Sequence, residues 1–152
     1  MNYPDAESLN FLLINGPLMG MLGKREPGLY GGETLGEIEA WIINKAQEVG
    51  VEINCFQSES EGEILRFIIE NADTAEGIII NPGAYSHYSY AIRDALNMVA
   101  CPVVEVHMTN IYRREDFRTK TVTAEVCDGL ITGLGKYGYY SALMYLLGML
   151  RE

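Results

Sequence analysis

The chain has 152 residues, 48% hydrophobic and 21% charged, a globular composition that excludes disordered, collagen-like and disulfide-scaffold classes. Eleven Lys and Arg stand against 21 Asp and Glu, a net charge of −10 that makes nucleic acid and anionic membranes poor partners. No apolar run reaches the roughly 18 residues of a membrane span, and the acidic start, with Asp5 and Glu7, does not read as a targeting peptide.

The length predicts one domain over residues 1–152, and the cysteine usage a cytoplasmic one. Cys55, Cys101 and Cys127 are odd in number, far apart and without a C-x-x-C pair. That argues against a disulfide framework or structural zinc and fits a reducing compartment.

Leu9–Asn15 (LNFLLIN) is a short apolar run, the pattern of a strand buried on both faces. Gly16–Gly32 follows, with six Gly, two Pro and no periodicity. A βα connection usually takes roughly 2–6 residues, and one this long reads as an unstructured active-site lid. It contains no phosphate-loop motif, but it brings Arg25 and Tyr30 together. A guanidinium beside a phenol favours the phenolate, which can act as a general base; the bland alternative is two surface residues.

Thr34 with Glu37 predicts a helix start, with Leu35, Ile38, Trp41, Ile42, Ala46 and Val49 at helical spacing and Gly50 as the stop. Val51–Gln57 reads as the second strand. Ser60 with Glu63 opens the next helix, with Ile64, Leu65, Ile68 and Ile69 as its stripe. Gly77–Asn81 is strand three, Ser89–Met98 helix three, Pro102–His107 strand four, Leu130–Leu134 strand five, and Tyr137–Leu150 a closing helix. Strands alternating with helices predict an α/β three-layer sandwich with a five-stranded parallel sheet, flavodoxin-like, in the order 2-1-3-4-5.

Ligands of such sheets bind beyond the carboxyl ends of the strands. Asn15, Gln57, Asn81 and His107 end four of them, and would converge on one edge. Glu105 and His107 lie two apart on strand four and share a face. A carboxylate in VVEVH needs a partner, and the imidazole beside it is the economical one, the arrangement of a general acid. A purely structural buried pair remains the alternative. Two His without ligand spacing argue against a metal site. Lys24, Arg25, Arg113, Arg114, Arg118 and Lys120, six of the eleven cations, crowd two segments and predict a small anionic ligand. Gly133-x-Gly135-x-x-Gly138 follows the last strand rather than the first, so it reads as turn and packing glycine, not a dinucleotide site.

Together these segments resemble the type II 3-dehydroquinases over about Leu9 to Leu147. The resemblance rests on LLINGP, LGKREPGLYG, FQSESEGEI, IIINPGAYSHYSYAIRDAL, PVVEVHMTNIYRREDFR and GLITGLGKYGYYSAL. It implies dehydration of 3-dehydroquinate to 3-dehydroshikimate by anti elimination through an enolate, with neither metal nor organic cofactor. It implies Tyr30 as the base, Arg25 as the residue favouring its ionised form, His107 as the acid and Glu105 as its orienter. Asn81, His87, Arg118 and the backbone N–H groups of Met108 and Thr109 are implied substrate contacts. Arg114 is an implied arginine near the lid that also affects the base, Asp94 a residue reaching a neighbouring subunit's site, and the assembly a homododecamer of trimers.

Three departures stand out. Leu18 replaces a family asparagine that helps stabilise the enolate, Tyr88 replaces a threonine, and Thr121-Val122-Thr123-Ala124 lacks the family's S-Y-L-S. They leave open a non-catalytic or altered-substrate homologue that binds a shikimate-like cyclic hydroxy acid. A flavin or nucleotide module has the fold on its side but no phosphate loop.

Overall fold

The computed structural model describes residues 7–152; Met1–Ala6, and with them most of the segment read as no targeting peptide, lie outside the described residues. Five strands, β1 (Leu9–Asn15), β2 (Val51–Gln57), β3 (Gly77–Asn81), β4 (Val103–His107) and β5 (Gly129–Thr132), form one parallel sheet in the order β2-β1-β3-β4-β5. Helices α2 (Leu35–Glu48) and α5 (Tyr137–Arg151) cover one face, α3 (Glu61–Asn71) and α4 (Tyr90–Met98) the other.

The period-two geometry of a strand divides the apolar runs between these layers. Phe11 and Leu13 of β1 turn toward Ile38 and Ile42 of α2 and Leu143 and Leu146 of α5. Leu12 and Ile14 turn the other way, toward Ile64 and Ile68 of α3 and Ile92 and Leu96 of α4. The central strands β1 and β3 are therefore apolar at consecutive positions, which is why their runs do not alternate in the sequence.

Local chemistry sets the helix starts. Thr34 Oγ1 accepts from the Glu37 N–H at 3.2 Å, Ser60 Oγ from Glu63 N–H at 3.3 Å, and Ser89 Oγ from Ile92 N–H at 3.1 Å. The Glu63 carboxylate does not close a reciprocal box on Ser60. It accepts from Ser58 Oγ, and that oxygen accepts from the Ser60 N–H at 2.9 Å.

Several boundaries differ from the sequence reading. α4 begins after its cap Ser89, β4 begins at Val103 rather than Pro102, and α5 runs to Arg151. β5 ends at Thr132 rather than Leu134, because Gly133 takes φ +91° and turns its N–H back to the His107 carbonyl at 3.1 Å. Ile69 is 71% exposed, off the buried Ile64–Ile68 stripe. The Gly16–Gly32 connection is not structureless: it holds a 3₁₀ turn at Met19–Met21 and a helical turn α1 at Pro27–Tyr30, with Pro at its first position. Gly138 is packing glycine, since a Cβ there would stand 2.9 Å from Val106 Cγ1.

Register decides where the chemistry goes. Asn15 lies level with both Gln57 and Asn81, and His107 with Thr132, so all four strand-end residues sit at the carboxyl edge. The connection after β1 and the turns after β3 and β4 rise from that edge.

Candidate active site

A cavity of about 250 Å³ opens at this edge. Its wall brings together Arg25 and Tyr30 from the lid, Asn81 and His87 from the β3 side, and His107, Met108, Thr109, Arg114 and Arg118 from the β4 side. Of the sequence-derived site residues, Glu105 lies behind the wall and Asp94 lies outside it, on the exposed face of α4. A second hollow of about 520 Å³ adjoins the first and shares Tyr30, Met108, Thr109 and Arg114 with it. Both histidines meet the Tyr30 phenol in the smaller one, which makes it the candidate site.

On the sheet side, Glu105 has no solvent exposure and His107 is 6% exposed. His107 Nε2 lies 2.8 Å from Glu105 Oε2. A carboxylate oxygen only accepts here, so Nε2 carries a proton and Nδ1 is the nitrogen left for a ligand. The carboxylate stands where it balances the ring's charge when the ring holds its second proton. The other oxygen, Oε1, accepts from Thr123 Oγ1.

His87 lies beside His107, with ring centroids 6.1 Å apart and planes at 20°. Its Nδ1 meets the Lys120 carbonyl at 2.8 Å, so Nδ1 is protonated and Nε2 of the neutral ring is an acceptor. Burial pulls the imidazole below its ordinary 6.5, only partly opposed by that carbonyl. A neutral acceptor suits a ligand hydroxyl.

On the lid side, Arg114 Nη1 donates to Tyr30 Oη at 2.8 Å. Arg25 instead sits over the ring face, its Cζ 4.3 Å from the centroid. The sequence pairs Arg25 with the phenol, and the resemblance adds Arg114 as a second arginine that affects the base. In the structure the oxygen meets Arg114, and Arg25 meets the π-system. Arg118 is engaged with Glu115, Nε to Oε2 at 2.6 Å. Of the six clustered cations, Arg25, Arg114 and Arg118 line the cavity and Arg113 the adjoining hollow, whereas Lys24 and Lys120 line neither.

Beneath the cavity runs a polar chain that the sequence did not suggest. Asn81 Nδ2 donates to Tyr139 Oη at 3.0 Å, and Tyr139 donates to Asn15 Oδ1 at 2.6 Å. Burial pushes the Tyr139 phenol upward, keeping it a neutral donor. Asn81 Oδ1 also accepts from Gly83 N–H at 3.2 Å. Asn15 supports Asn81 from behind and does not line the cavity; Gln57 turns to the Gly16 carbonyl at 3.1 Å.

Leu18 lines the cavity, half exposed, in a left-handed conformation with φ +65°. Its N–H donates to Glu59 Oε2 at 2.8 Å, a contact that holds this unusual backbone for a residue with a Cβ. Tyr88 also lines the cavity, edge-on to Tyr85 at 5.8 Å.

Thr123 and Tyr139 are the functional neighbours that sequence reasoning missed. One signal pointed to the first: a buried carboxylate needs donors for two oxygens, and His107 supplies one. Burial raises the thiols of Cys55, to about 12, and of Cys101, so neither offers a ready thiolate. Among the described residues no group of three or more His, Cys, Asp or Glu could hold a metal ion.

The arrangement sets a phenol oxygen under a guanidinium and an imidazole backed by a carboxylate around one small cavity. Such a cavity can take a proton from one atom of a ligand and give one to another.

The model of the family described as dehydroquinase class II matches residues 9–147. A Bacillus cereus protein named 3-dehydroquinate dehydratase is 53% identical over 141 residues, covering 93% of this chain and 97% of the relative. The solved type II dehydroquinase from Butyrivibrio crossotus superposes with a TM-score of 0.91 at 42% identity, covering 93% of this chain and 99% of its own. The one from Propionibacterium acnes also gives 0.91, at 40% identity, covering 95% and 99%. A match that spans the lid, all five strands and most of α5 is a match to the whole site-bearing fold, and this chain belongs to the class II dehydroquinase family.

Proposed function

We propose that this protein is a hydro-lyase that dehydrates 3-dehydroquinate to 3-dehydroshikimate in the shikimate pathway. Tyr30 Oη takes a proton from the carbon next to the ketone, and the electron pair is held as an enolate. The enolate then collapses, the C–O bond to the ring hydroxyl breaks, and His107 supplies the proton with which that group leaves as water. Glu105 orients the ring and balances its charge. Arg114, donating to Tyr30, keeps positive charge at the oxygen that alternates between phenol and phenolate. Arg25 holds the ring of the base from its face.

His87 and Arg118 meet ring hydroxyls, Asn81 the departing one, and the N–H groups of Met108 and Thr109 the carboxylate. A volume of about 250 Å³, below the roughly 300–1,000 Å³ of drug-sized sites, suits a single-ring acid. The clustered arginines offset the substrate's carboxylate and the passing enolate.

The observation that carries this reading is the single cavity shared by the Tyr30–Arg114 and His107–Glu105 pairs. It is tested by adding 3-dehydroquinate to the purified protein and following the rise of enone absorbance. Turnover that vanishes on Tyr30→Phe supports it, and no turnover by the wild type overturns it. Leu18, which offers the cavity no side-chain donor, favours a second reading, a homologue that binds a related cyclic hydroxy acid without dehydrating it. Retained binding in an inert protein would select that reading.

The same reading treats residues 1–152 as one catalytic domain, cytoplasmic, that assembles as trimers into a homododecamer with Asp94 serving the neighbouring site. Three free cysteines support the reducing compartment, and the exposed place of Asp94 outside its own cavity supports the assembly. Light scattering tests the latter: a fully active monomer of 16.9 kDa overturns it.

A further inference from the structure

Glu105 presents the site's one fully buried carboxylate, and each of its oxygens has a single side-chain partner. Oε2 meets His107 Nε2 at 2.8 Å. Oε1 meets the Thr123 hydroxyl, and Thr123 is itself without solvent exposure. Thr123 does not line the cavity.

The backbone around Thr123 is tied on every side. Its carbonyl accepts from Val126 N–H at 3.2 Å and from Cys127 Sγ at 3.3 Å. The preceding residue, Val122, donates its N–H to the Ser86 carbonyl at 2.8 Å and accepts from Arg93 Nη1 at 2.9 Å. The hydroxyl is thus presented to Glu105 from a fixed point rather than from a loose loop.

A carboxylate with one partner can turn about its Cγ–Cδ bond, and the ring that it orients can turn with it. A second donor on the other oxygen removes that freedom. It also keeps a buried oxygen from going unsatisfied, a loss that costs more than the bond itself gains. Because Oε1 is filled by a hydroxyl, Oε2 is the oxygen left for the imidazole, and its partner bond decides which ring nitrogen carries the proton.

We propose that Thr123 is a positioning residue for the dehydration: its hydroxyl fixes the Glu105 carboxylate, and through it the orientation and tautomer of His107. This rests on the reading of His107 as the proton donor. The function assigned is hydrogen-bond donation, so any residue with a hydroxyl at that place serves, and an isosteric apolar one does not.

Thr123→Val and Thr123→Ser form the test, with Thr123→Ala as a second hydroxyl-free variant in case the valine variant fails to fold. The hydroxyl-free variant is expected to lose about tenfold in kcat, with KM for 3-dehydroquinate nearly unchanged. Thr123→Ser is expected to keep kcat close to the wild-type value. NMR of ¹⁵N-labelled imidazole, without substrate, gives a readout separate from turnover. The Nε2–H signal of His107 is expected to persist in wild type and Thr123→Ser and to broaden or shift in the hydroxyl-free variant. Wild-type kcat and an unchanged ring signal in that variant overturn the proposal, as does an equal loss in Thr123→Ser. If the wild type does not turn over 3-dehydroquinate, the functional reading fails on its own, and the ring signal alone decides Thr123.

Discussion

The two sides of the cavity are built on different principles. The His107 side stands on β4, with Glu105 and Thr123 stacked behind it and none of the three more than 6% exposed. The Tyr30 side hangs on a largely exposed helical turn within the long connection after β1, in which Leu18 and Glu26 take positive φ. The sheet prepares the acid in advance, because a buried hydrogen-bonded pair with both carboxylate oxygens satisfied has little freedom left. The base is assembled across elements: Tyr30 comes from the lid and Arg114 from the β4 side. The hydrogen bond between Tyr30 and Arg114 is therefore the seam between a buried half and an exposed one.

The sharpest way to break this comparison is to remove the base oxygen alone. Tyr30→Phe is expected to lower kcat by roughly 10³-fold, with circular dichroism and ligand affinity near wild type, since the ring still packs under Arg25. Normal turnover in that variant would place the base elsewhere.

Next comes the buried half. Glu105→Ala is expected to lower kcat by roughly 10²-fold. Unlike the lid variant it also costs stability, about 3–5 kcal/mol for breaking a buried pair from one side, read by urea denaturation. A Glu105→Ala protein as stable as wild type would show that the acid side is not the prepaid half.

The seam itself can be tested by comparing its two arginines. Arg114→Ala, which loses the bond to Tyr30 Oη, is expected to cut kcat by about 10–100-fold. Arg25→Ala, which loses a contact to the ring face, is expected to cut it by less than about tenfold. The reverse ranking in steady-state assays would return the primary role to Arg25.

Leu18 sharpens the view of the lid. Asn tolerates the left-handed backbone better than Leu does and offers the cavity a side-chain amide. Leu18→Asn is expected to raise kcat by at most about tenfold, with KM little changed, and to raise the melting temperature slightly. A lower kcat with unchanged melting temperature would mean that the cavity has adapted to an apolar wall.

The smallest effect concerns pH. His87 in the folded protein lies below its ordinary 6.5 because of burial, so the unfolded chain takes the proton first. Its contribution to stability is full above about 6.5 and is lost as the pH falls through that value toward the folded pKa. Thermal melts from pH 7.5 to 5.5 are expected to fall less steeply for His87→Gln than for wild type. Parallel slopes would remove His87 from the account.

Much of this is legible in the sequence. The apolar runs of β1 and β3, the caps Thr34 and Ser60, and the pairing of Glu105 with His107 follow from local patterns and from the cost of burying a lone carboxylate. Those are properties of neighbouring residues, and a sequence displays neighbours. The strand order and the shared edge of Asn81 and His107 followed from the strand–helix alternation, because parallel sheets admit few arrangements.

What the tertiary structure alone decided are contacts between residues far apart in the chain. Arg114 rather than Arg25 at the Tyr30 oxygen spans 84 positions, and Tyr139 between Asn15 and Asn81 spans 124 and 58. Thr123 belongs in the sequence only to a segment that departs from the family pattern, and it is the fold that sets it against Glu105. Such partners are chosen by the register of β4 and β5 and by the close approach of α5 at Gly138, where the shape of the packed layers, and not residue type, selects among several arginines and hydroxyls.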